Sequence, residues 1–280
     1  MILLSARNPR VQRVRRLARR HRARVDERAF VLEGPHVVDA ALSAGVPIEA
    51  LFHEAGADAG LLARARAAGV EVHELEPGTL ARVTDVVTPQ PVVAVAPWCD
   101  APLEAVLAGA RTEGGPARPV VVLLDVRDPG NAGTLLRTGE ASGAAGVVVA
   151  GHSVDVFNPK CVRASVGALF HLPVALVPDA GEALAGLRSA GLRVIATAAS
   201  AELAYDRCDL TGPIALLLGN EAAGLPPEVQ SGVDEVVGIP IEGRAESLNV
   251  AAAGAVLCFE AARQRRSGGP NGGPTADRRP

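Results

Sequence analysis

The sequence predicts an α/β protein in two parts: a C-terminal parallel sheet covered by helices, preceded by a smaller α/β domain. Three observations predict it. Short apolar runs such as VVVLLD, GVVVA and IALLL recur along the chain, and segments with helical spacing separate them, which is the alternation that builds a parallel sheet. Strand-like runs of this kind are apolar on both faces, so helices must cover both sides. The length of 280 residues and a hydrophobic content of 48% suffice for two separate cores.

The first segment is dense in arginine. Arg7, Arg10, Arg13, Arg15, Arg16, Arg19, Arg20, Arg22, Arg24 and Arg28 are opposed only by Asp26 and Glu27, although the whole chain carries a net charge of -3. Planar guanidinium forks match phosphate oxygens, so a helix here suits RNA, with Arg7, Arg10, Arg13, Arg16 and Arg20 as the expected contacts. The competing view is a solvated helix in a chain that prefers arginine throughout, since Lys160 is its one lysine.

FVLEGPHVVDAALSAG then reads as strand and helix, and PIEALFHE, LLARARAAG, VEVHEL and PVVAVAP supply further alternating elements. This sets a small α/β domain over residues 1–97. The stretch 98–118, with a possible short helix and a Gly/Pro-rich spacer, is expected to be a linker. Over 119–266 the alternation resumes: VVVLLD, a helix from about Gly133, GVVVA, a helix near Pro159, LPVALV, a helix from about Ala180, RVIATAA, IALLLG, VVGIPI and a last helix from about Leu248. The tail 267–280, SGGPNGGPTADRRP, has little to bury and is expected to be disordered.

Several classes drop out. No apolar run approaches the roughly 18 residues of a membrane span, and the start, MILLSARNPRVQRVRR, does not read as a signal peptide, so a cytoplasmic location is expected. Cys99, Cys161, Cys208 and Cys258 are widely spaced, without a CxxC pair, so neither metal nor disulfide is expected. The chain contains no GxxxxGK[ST], and no GxGxxG opens a helix. Ser153 lacks the GxSxG frame of a hydrolase, and an aromatic content of 2% disfavours a platform for stacking bases.

Three loops carry unusual residues, each after a predicted strand. DVRDPGNAGTLLR holds Asn131 and Arg137, LLLGNEAAGLPPEV holds Gly219, Asn220 and Glu221, and IPIEGRAESLNVAAAGAVLCFEAAR holds Ser247 and Asn249. Loops at the carboxyl ends of parallel strands line the crevice where such sheets bind ligands. Taken singly, each also has a plain structural explanation: Asp128, Pro129 and Gly130 form turns, Ser247 suits a helix cap, and Glu221 suits a solvated loop.

Taken in order, NAGTLLR, LLLGNEAAGL and IPIEGRAESLNVAAAGAVLCFE resemble motifs 1, 2 and 3 of the SpoU (TrmH) family of RNA ribose 2'-O-methyltransferases, in the SPOUT superfamily. RNPRVQRVRRLARR with FVLEGPHVVDAAL is similar to the ribosomal L30e-like substrate-binding domain attached to many of these enzymes. The resemblance implies a trefoil-knotted α/β catalytic domain, S-adenosyl-L-methionine as cofactor, a homodimer, and RNA as substrate, with ribosomal RNA ahead of transfer RNA. It implies cofactor contacts at Thr197, Gly219, Ile239 and Leu248, and a polar site of Arg137, Asn131, Glu221, Ser247 and Asn249, with Arg137 as the main catalytic residue. Motif 3 departs at one place, where Ala251 stands for a serine frequent in the family. A silent RNA-binding or ribosome-assembly protein is the alternative of a different class.

Overall fold

The structure, a computed structural model, describes residues 3–84, 89–111, 117–221, 223–226, 229 and 232–268. The chain forms two compact units. One takes the chain up to Cys99 together with Asp155–His171, and the other takes Asp100–Val154 together with the chain from Leu172.

The first unit opens with helix α1 (Pro9–Arg19), started by Pro9 and capped by Asn8, whose side chain accepts from the Arg10 backbone N–H. Val11, Val14 and Leu17 recur at helical spacing and are buried, which turns the arginines outward. Helix α2 (His21–Glu27) ends at Arg28, in a left-handed conformation with φ 43°. There follow β1 (Ala29–Glu33), α3 (Pro35–Ser43), β2 (Ala50–His53), α4 (Ala59–Ala67), β3 (Glu71–Glu74), the single turn α5 (Leu80–Val83) and β4 (Val92–Pro97). The sheet order is β1-β4-β2-β3, with β4 antiparallel to both β1 and β2, and β2 parallel to β3.

The second unit begins with α6 (Leu103–Ala110), within the stretch expected to be a linker. Val106 and Ala110 of this helix are fully buried in the unit's core, so the segment is a packed element, and the spacing of its apolar residues rather than the Gly/Pro run behind it decides its fate. The chain continues through β5 (Val120–Leu124), α7 (Pro129–Ser142), β6 (Gly146–Ala150), α8 (Pro159–Ser165), β7 (Val174–Val177), α9 (Ala180–Ser189), β8 (Arg193–Thr197), β9 (Leu203–Ala204), β10 (Ile214–Leu218), β11 (Glu235–Gly238) and α10 (Val250–Ser267). Helix α10 takes in Ser267, assigned above to the tail, with Gly268 as its left-handed cap; residues 269–280 lie outside the described residues.

Seven strands form one parallel sheet in the order β7-β6-β5-β10-β8-β11-β9. β5, β6 and β10 are buried along their whole length, as strands covered on both faces must be. One face, with Val120, Val122 and Leu217, packs on α6 and α9; on the other, Val121 and Leu218 meet α7 and α10. Gly254 of α10 allows the close approach there, because a Cβ would stand 2.3 Å from a Leu135 methyl and 2.8 Å from one of Leu218. The sheet order reverses between β5 and β10, so the crevice of this fold opens beyond their carboxyl ends.

Between β6 and β7 the chain leaves this sheet and joins the first unit as Asp155–His171. Phe157 stacks on Trp98 with ring centres 4.7 Å apart and meets Phe30 at 4.8 Å. Asp155 accepts from Arg24 at 2.7 Å, and both side chains are nearly inaccessible, at 8% and 2% exposure. Arg24 thus belongs to the core of the unit rather than to its basic surface.

Candidate active site

Loops after β5, β8, β10 and β11 build the site, all within the second unit. Asp128 caps α7: its carboxylate accepts from the Asn131 backbone N–H at 2.9 Å, which fixes Asn131 in the first helical turn. Asn249 caps α10 in the same way, accepting from Ala251 N–H at 2.8 Å and Ala252 N–H at 3.3 Å. Two helix N-termini therefore face the site with their caps in place.

A continuous chain of hydrogen bonds links the caps. The Asn249 Nδ2 donates to Asn131 Oδ1 at 3.0 Å, and the Asn131 Nδ2 donates to Glu221 Oε1 at 3.0 Å. Glu221 also accepts the backbone N–H of Asp128 on Oε1, at 3.0 Å, and of Arg127 on Oε2, at 3.2 Å. Each amide has its oxygen toward a donor and its nitrogen toward an acceptor, so the network admits one orientation of both asparagines. Burial raises the Glu221 carboxyl's pKa, but the bonds from Asn131 and from the backbone of Asp128 and Arg127 outweigh it and hold the group below the ordinary carboxylate range. Glu221 is thus an ionised latch between the loop after β10 and the start of α7, which Asn131 extends to Asn249, and it has little tendency to accept a proton near neutral pH.

Beside the latch lies a cavity of about 360 Å³, lined among others by Thr197, Gly219, Glu221, Ile239, Ser247 and Leu248. The four residues expected to contact a cofactor share this one wall. Ile239 is half-buried and Leu248 is 40% exposed, so an apolar surface is left open to the cavity. At Gly219 a side chain is excluded, since a Cβ would fall 2.7 Å from the Gly224 carbonyl oxygen. Asn220, which the sequence shows in this loop without indicating a role, ties it down: its Nδ2 donates to Asp125 O at 2.9 Å and its Oδ1 accepts from Ala223 N–H at 2.9 Å. Asp128 is a second such residue; its turn-forming character was legible, its capping bond to Asn131 was not.

Arg137 lies elsewhere on α7. Six residues beyond Asn131, it sits about 9 Å further along the helix axis and roughly 120° around it, is exposed, and is not among the cavity's lining residues. Its side chain makes no hydrogen bond or ion pair with the described residues. Ala251, at the position of the family's serine, is buried at 6% exposure and gives its N–H to Asn249, so the hydrogen-bond chain is complete without a hydroxyl there. The Ser153 hydroxyl donates to the carbonyls of Leu123 and Ala150, which is a structural role. Among the described residues no cluster suits a metal ion, no helix is long and apolar enough to cross a membrane, and none of the four cysteines is in a disulfide.

The arginines of the first unit divide. Arg10 pairs with Glu71 at 2.6 Å, Arg13 with Glu27 at 2.6 Å and Glu49 at 2.5 Å, and Arg16 with Glu27 at 3.2 Å. Arg7 and Arg20 are exposed, and their side chains form no ion pair with the described residues. The expected basic face is therefore partly neutralised by carboxylates from elsewhere in the unit.

Comparison with known proteins agrees with this geometry. Residues 118–259 match the model of the SpoU rRNA Methylase family, and residues 8–94 match that of the MRM3-like substrate binding domain. The chain is 32% identical over 91% of its length to the 23S rRNA (guanosine(2553)-2'-O)-methyltransferase RlmP of Bacillus subtilis, covering 96% of that protein. It is 43% identical to the 23S rRNA (uridine(2479)-2'-O)-methyltransferase of Streptomyces viridochromogenes over 145 residues, half of each chain. An AdoMet-bound rRNA methyltransferase from Sinorhizobium meliloti superposes with a TM-score of 0.81 at 34% identity, over 91% of this chain and 95% of that one. The SpoU methyltransferase AviRb from Streptomyces viridochromogenes, in complex with AdoMet, gives 0.81 at 31% identity over 92% and 98%. With three loops latched at one sheet edge and this match along its length, the chain belongs to the SpoU rRNA methylase family.

Proposed function

We propose that the protein transfers a methyl group from S-adenosyl-L-methionine to a ribose 2'-hydroxyl of ribosomal RNA, in the 23S molecule. The observation that carries this reading is the Glu221–Asn131–Asn249 latch at the edge of a cavity lined by Thr197, Gly219, Ile239 and Leu248. A volume of about 360 Å³ falls in the range of roughly 300–1,000 Å³ typical of small-molecule sites. Ile239 and Leu248 offer an apolar wall suited to an adenine, and Gly219, with no side chain, leaves its main chain open to close approach. The cofactor, when bound there, supplies an electrophilic methyl group; the protein supplies position and charge.

The residues of the chain divide the remaining work. Glu221, with N–H groups on both carboxylate oxygens and its pKa held low, keeps the loop before α7 against the cavity rather than taking the proton. Arg137 carries a planar guanidinium, a fork of N–H donors with no acceptor atom. It clamps a phosphate of the RNA and stabilises the 2'-oxygen as negative charge develops, and the proton leaves through that phosphate or a water.

The same reading includes two family features. The chain from β10 through the last loops to α10 threads a trefoil knot, an exception to the unknotted rule; support comes from β10 lying between β5 and β8, with α10 returning onto α7 and β10. Two copies associate through α10, on which Phe259 is 49% exposed. A cytoplasmic location follows from the substrate.

Methyl transfer to purified ribosomal RNA, with primer extension to map the 2'-O-methyl group, tests the activity. Arg137→Ala is expected to abolish transfer and leave cofactor affinity near normal. Retained turnover, or loss of cofactor binding, would refute the role given to Arg137; failure of the unaltered protein to bind the cofactor would refute the enzyme reading itself.

A further inference from the structure

The backbone around Arg127 is held on both sides while its side chain is left over. Its N–H is bonded to Glu221 at 3.2 Å. On one side, the Val126 carbonyl accepts from Val154 N–H at 2.8 Å, Val126 is fully buried, and the Asp125 carbonyl accepts from Asn220 at 2.9 Å. Asp125 itself is in the left-handed region at φ 58°, fixed there by the bond from His152 N–H to its carboxylate at 2.6 Å. On the other side Asp128 caps α7. Yet the Arg127 side chain is exposed and makes no hydrogen bond or ion pair with the described residues.

Elsewhere in the chain Arg10, Arg13, Arg16, Arg24, Arg64, Arg163, Arg193 and Arg263 each meet a carboxylate, whereas Arg127 does not among the described residues. The neighbouring carboxylate of Glu221 is turned to N–H groups, one of them the backbone of Arg127 itself. Glu221 lines the cofactor cavity, and its bond from the Arg127 N–H sets Arg127 next to that lining, of which Arg127 is not itself a part. A rigid stem lowers the entropy cost of fixing a charged head on a ligand.

We propose that Arg127 is an RNA-positioning residue, its guanidinium taking a backbone phosphate beside the target ribose. This rests on the reading of the chain as an RNA methyltransferase. A bidentate fork suits phosphate oxygens, and a contact of this type contributes to affinity without sequence preference. It acts on binding of the RNA and leaves the transfer step to the other residues.

The test uses the full-length protein and protein-free 23S rRNA with S-adenosylhomocysteine present. Kd is measured against salt for the unaltered protein, Arg127→Gln, Arg127→Lys, and Arg188→Gln as a control that removes an exposed charge on α9. Loss of one phosphate contact by Arg127→Gln should raise Kd about ten-fold and lower the slope of log Kd on log salt by about 0.7–0.9. Arg127→Lys should restore the slope, Arg188→Gln should leave it unchanged, and affinity for S-adenosylmethionine should not move. In turnover, KM for RNA should rise while kcat stays within about two-fold. An unchanged slope and KM in Arg127→Gln, an equal effect in Arg188→Gln, or weakened cofactor binding would each overturn the proposal. If the unaltered protein binds 23S rRNA but transfers no methyl group, the enzyme reading fails, and the salt titration still decides the role of Arg127.

Discussion

Glu221→Ala removes one acceptor shared by three donors: the backbone N–H of Arg127 at 3.2 Å, that of Asp128 at 3.0 Å, and the Asn131 amide at 3.0 Å. Each such bond contributes about 0.5–1.5 kcal/mol net, and because Glu221 is exposed the lower half of that range applies, giving about 2 kcal/mol in all. A domain of this size shifts by about 2–4 °C in Tm per kcal/mol, so a fall of about 4–8 °C is expected. Glu221→Gln keeps one oxygen and loses the charge, and should fall between. In a double-mutant cycle with Asn131→Ala, the pair should be coupled by at least about 0.5 kcal/mol, because each change removes the same bond. The dependence on acid has a definite sign. The folded pKa of Glu221 lies below its ordinary 4.5, so its contribution is fully present above that value and is lost as pH falls below it toward the folded pKa. Chemical denaturation of both variants between pH 7 and pH 3 measures this, with hydrogen exchange at the Arg127 and Asp128 amides as a local readout. Additive losses from Glu221→Ala and Asn131→Ala, with unchanged exchange at those two amides, would refute the latch.

Two further outcomes follow from packing. Asp155→Ala strands the Arg24 guanidinium, which is 2% exposed, and should destabilise the first unit by about 3–5 kcal/mol; replacing both by Met and Leu should recover most of it, and a melting series showing no recovery would contradict the account. Gly254→Leu puts a Cβ 2.3 Å from Leu135. It should cost about 1–3 kcal/mol and weaken binding of S-adenosylmethionine, because Leu248 and Asn249 stand just ahead of the helix it displaces; calorimetry showing full-strength binding would argue against that coupling.

Local chemistry was legible and long-range partnership was not. VVVLLD, GVVVA and IALLL read as strands because nothing in them competes with burial, and all three are fully buried strands. Their neighbours could not be read, since β10 lies beside β5 across some ninety residues of chain and its pairing depends on the whole sheet. The basic segment shows the same limit. Helical spacing turns Arg10, Arg13 and Arg16 outward, but the carboxylates that meet them include Glu49 and Glu71, from β-strand regions no local pattern connects to α1. In the last helix, the glycine at 254 serves close packing within the chain, against Leu135 and Leu218, partners that no local pattern names. Motif order placed Asn131, Glu221 and Asn249 in one site; that they bond to one another was beyond a single sequence.

That mutual bonding constrains the chemistry. The amide oxygen of Asn131 is taken by Asn249 and its nitrogen by Glu221, and both carboxylate oxygens of Glu221 are engaged by donors. The latch thus turns the acceptor oxygens of Asn131 and Glu221 toward protein donors, and those bonds favour the ionised form of Glu221. The Arg137 guanidinium carries N–H donors and no acceptor atom, so it does not take the proton either. This agrees with the proposed exit of the proton by way of the substrate or solvent: beside the charge that Arg137 supplies, Asn131, Glu221 and Asn249 contribute by fixing loops and two helix ends around one cavity. On this argument the polar residues of the three motifs act chiefly as structure: substitutions at Asn131 or Asn249 should lower kcat through displacement of the loops, and should do so without the change in pH profile that loss of a general base would bring.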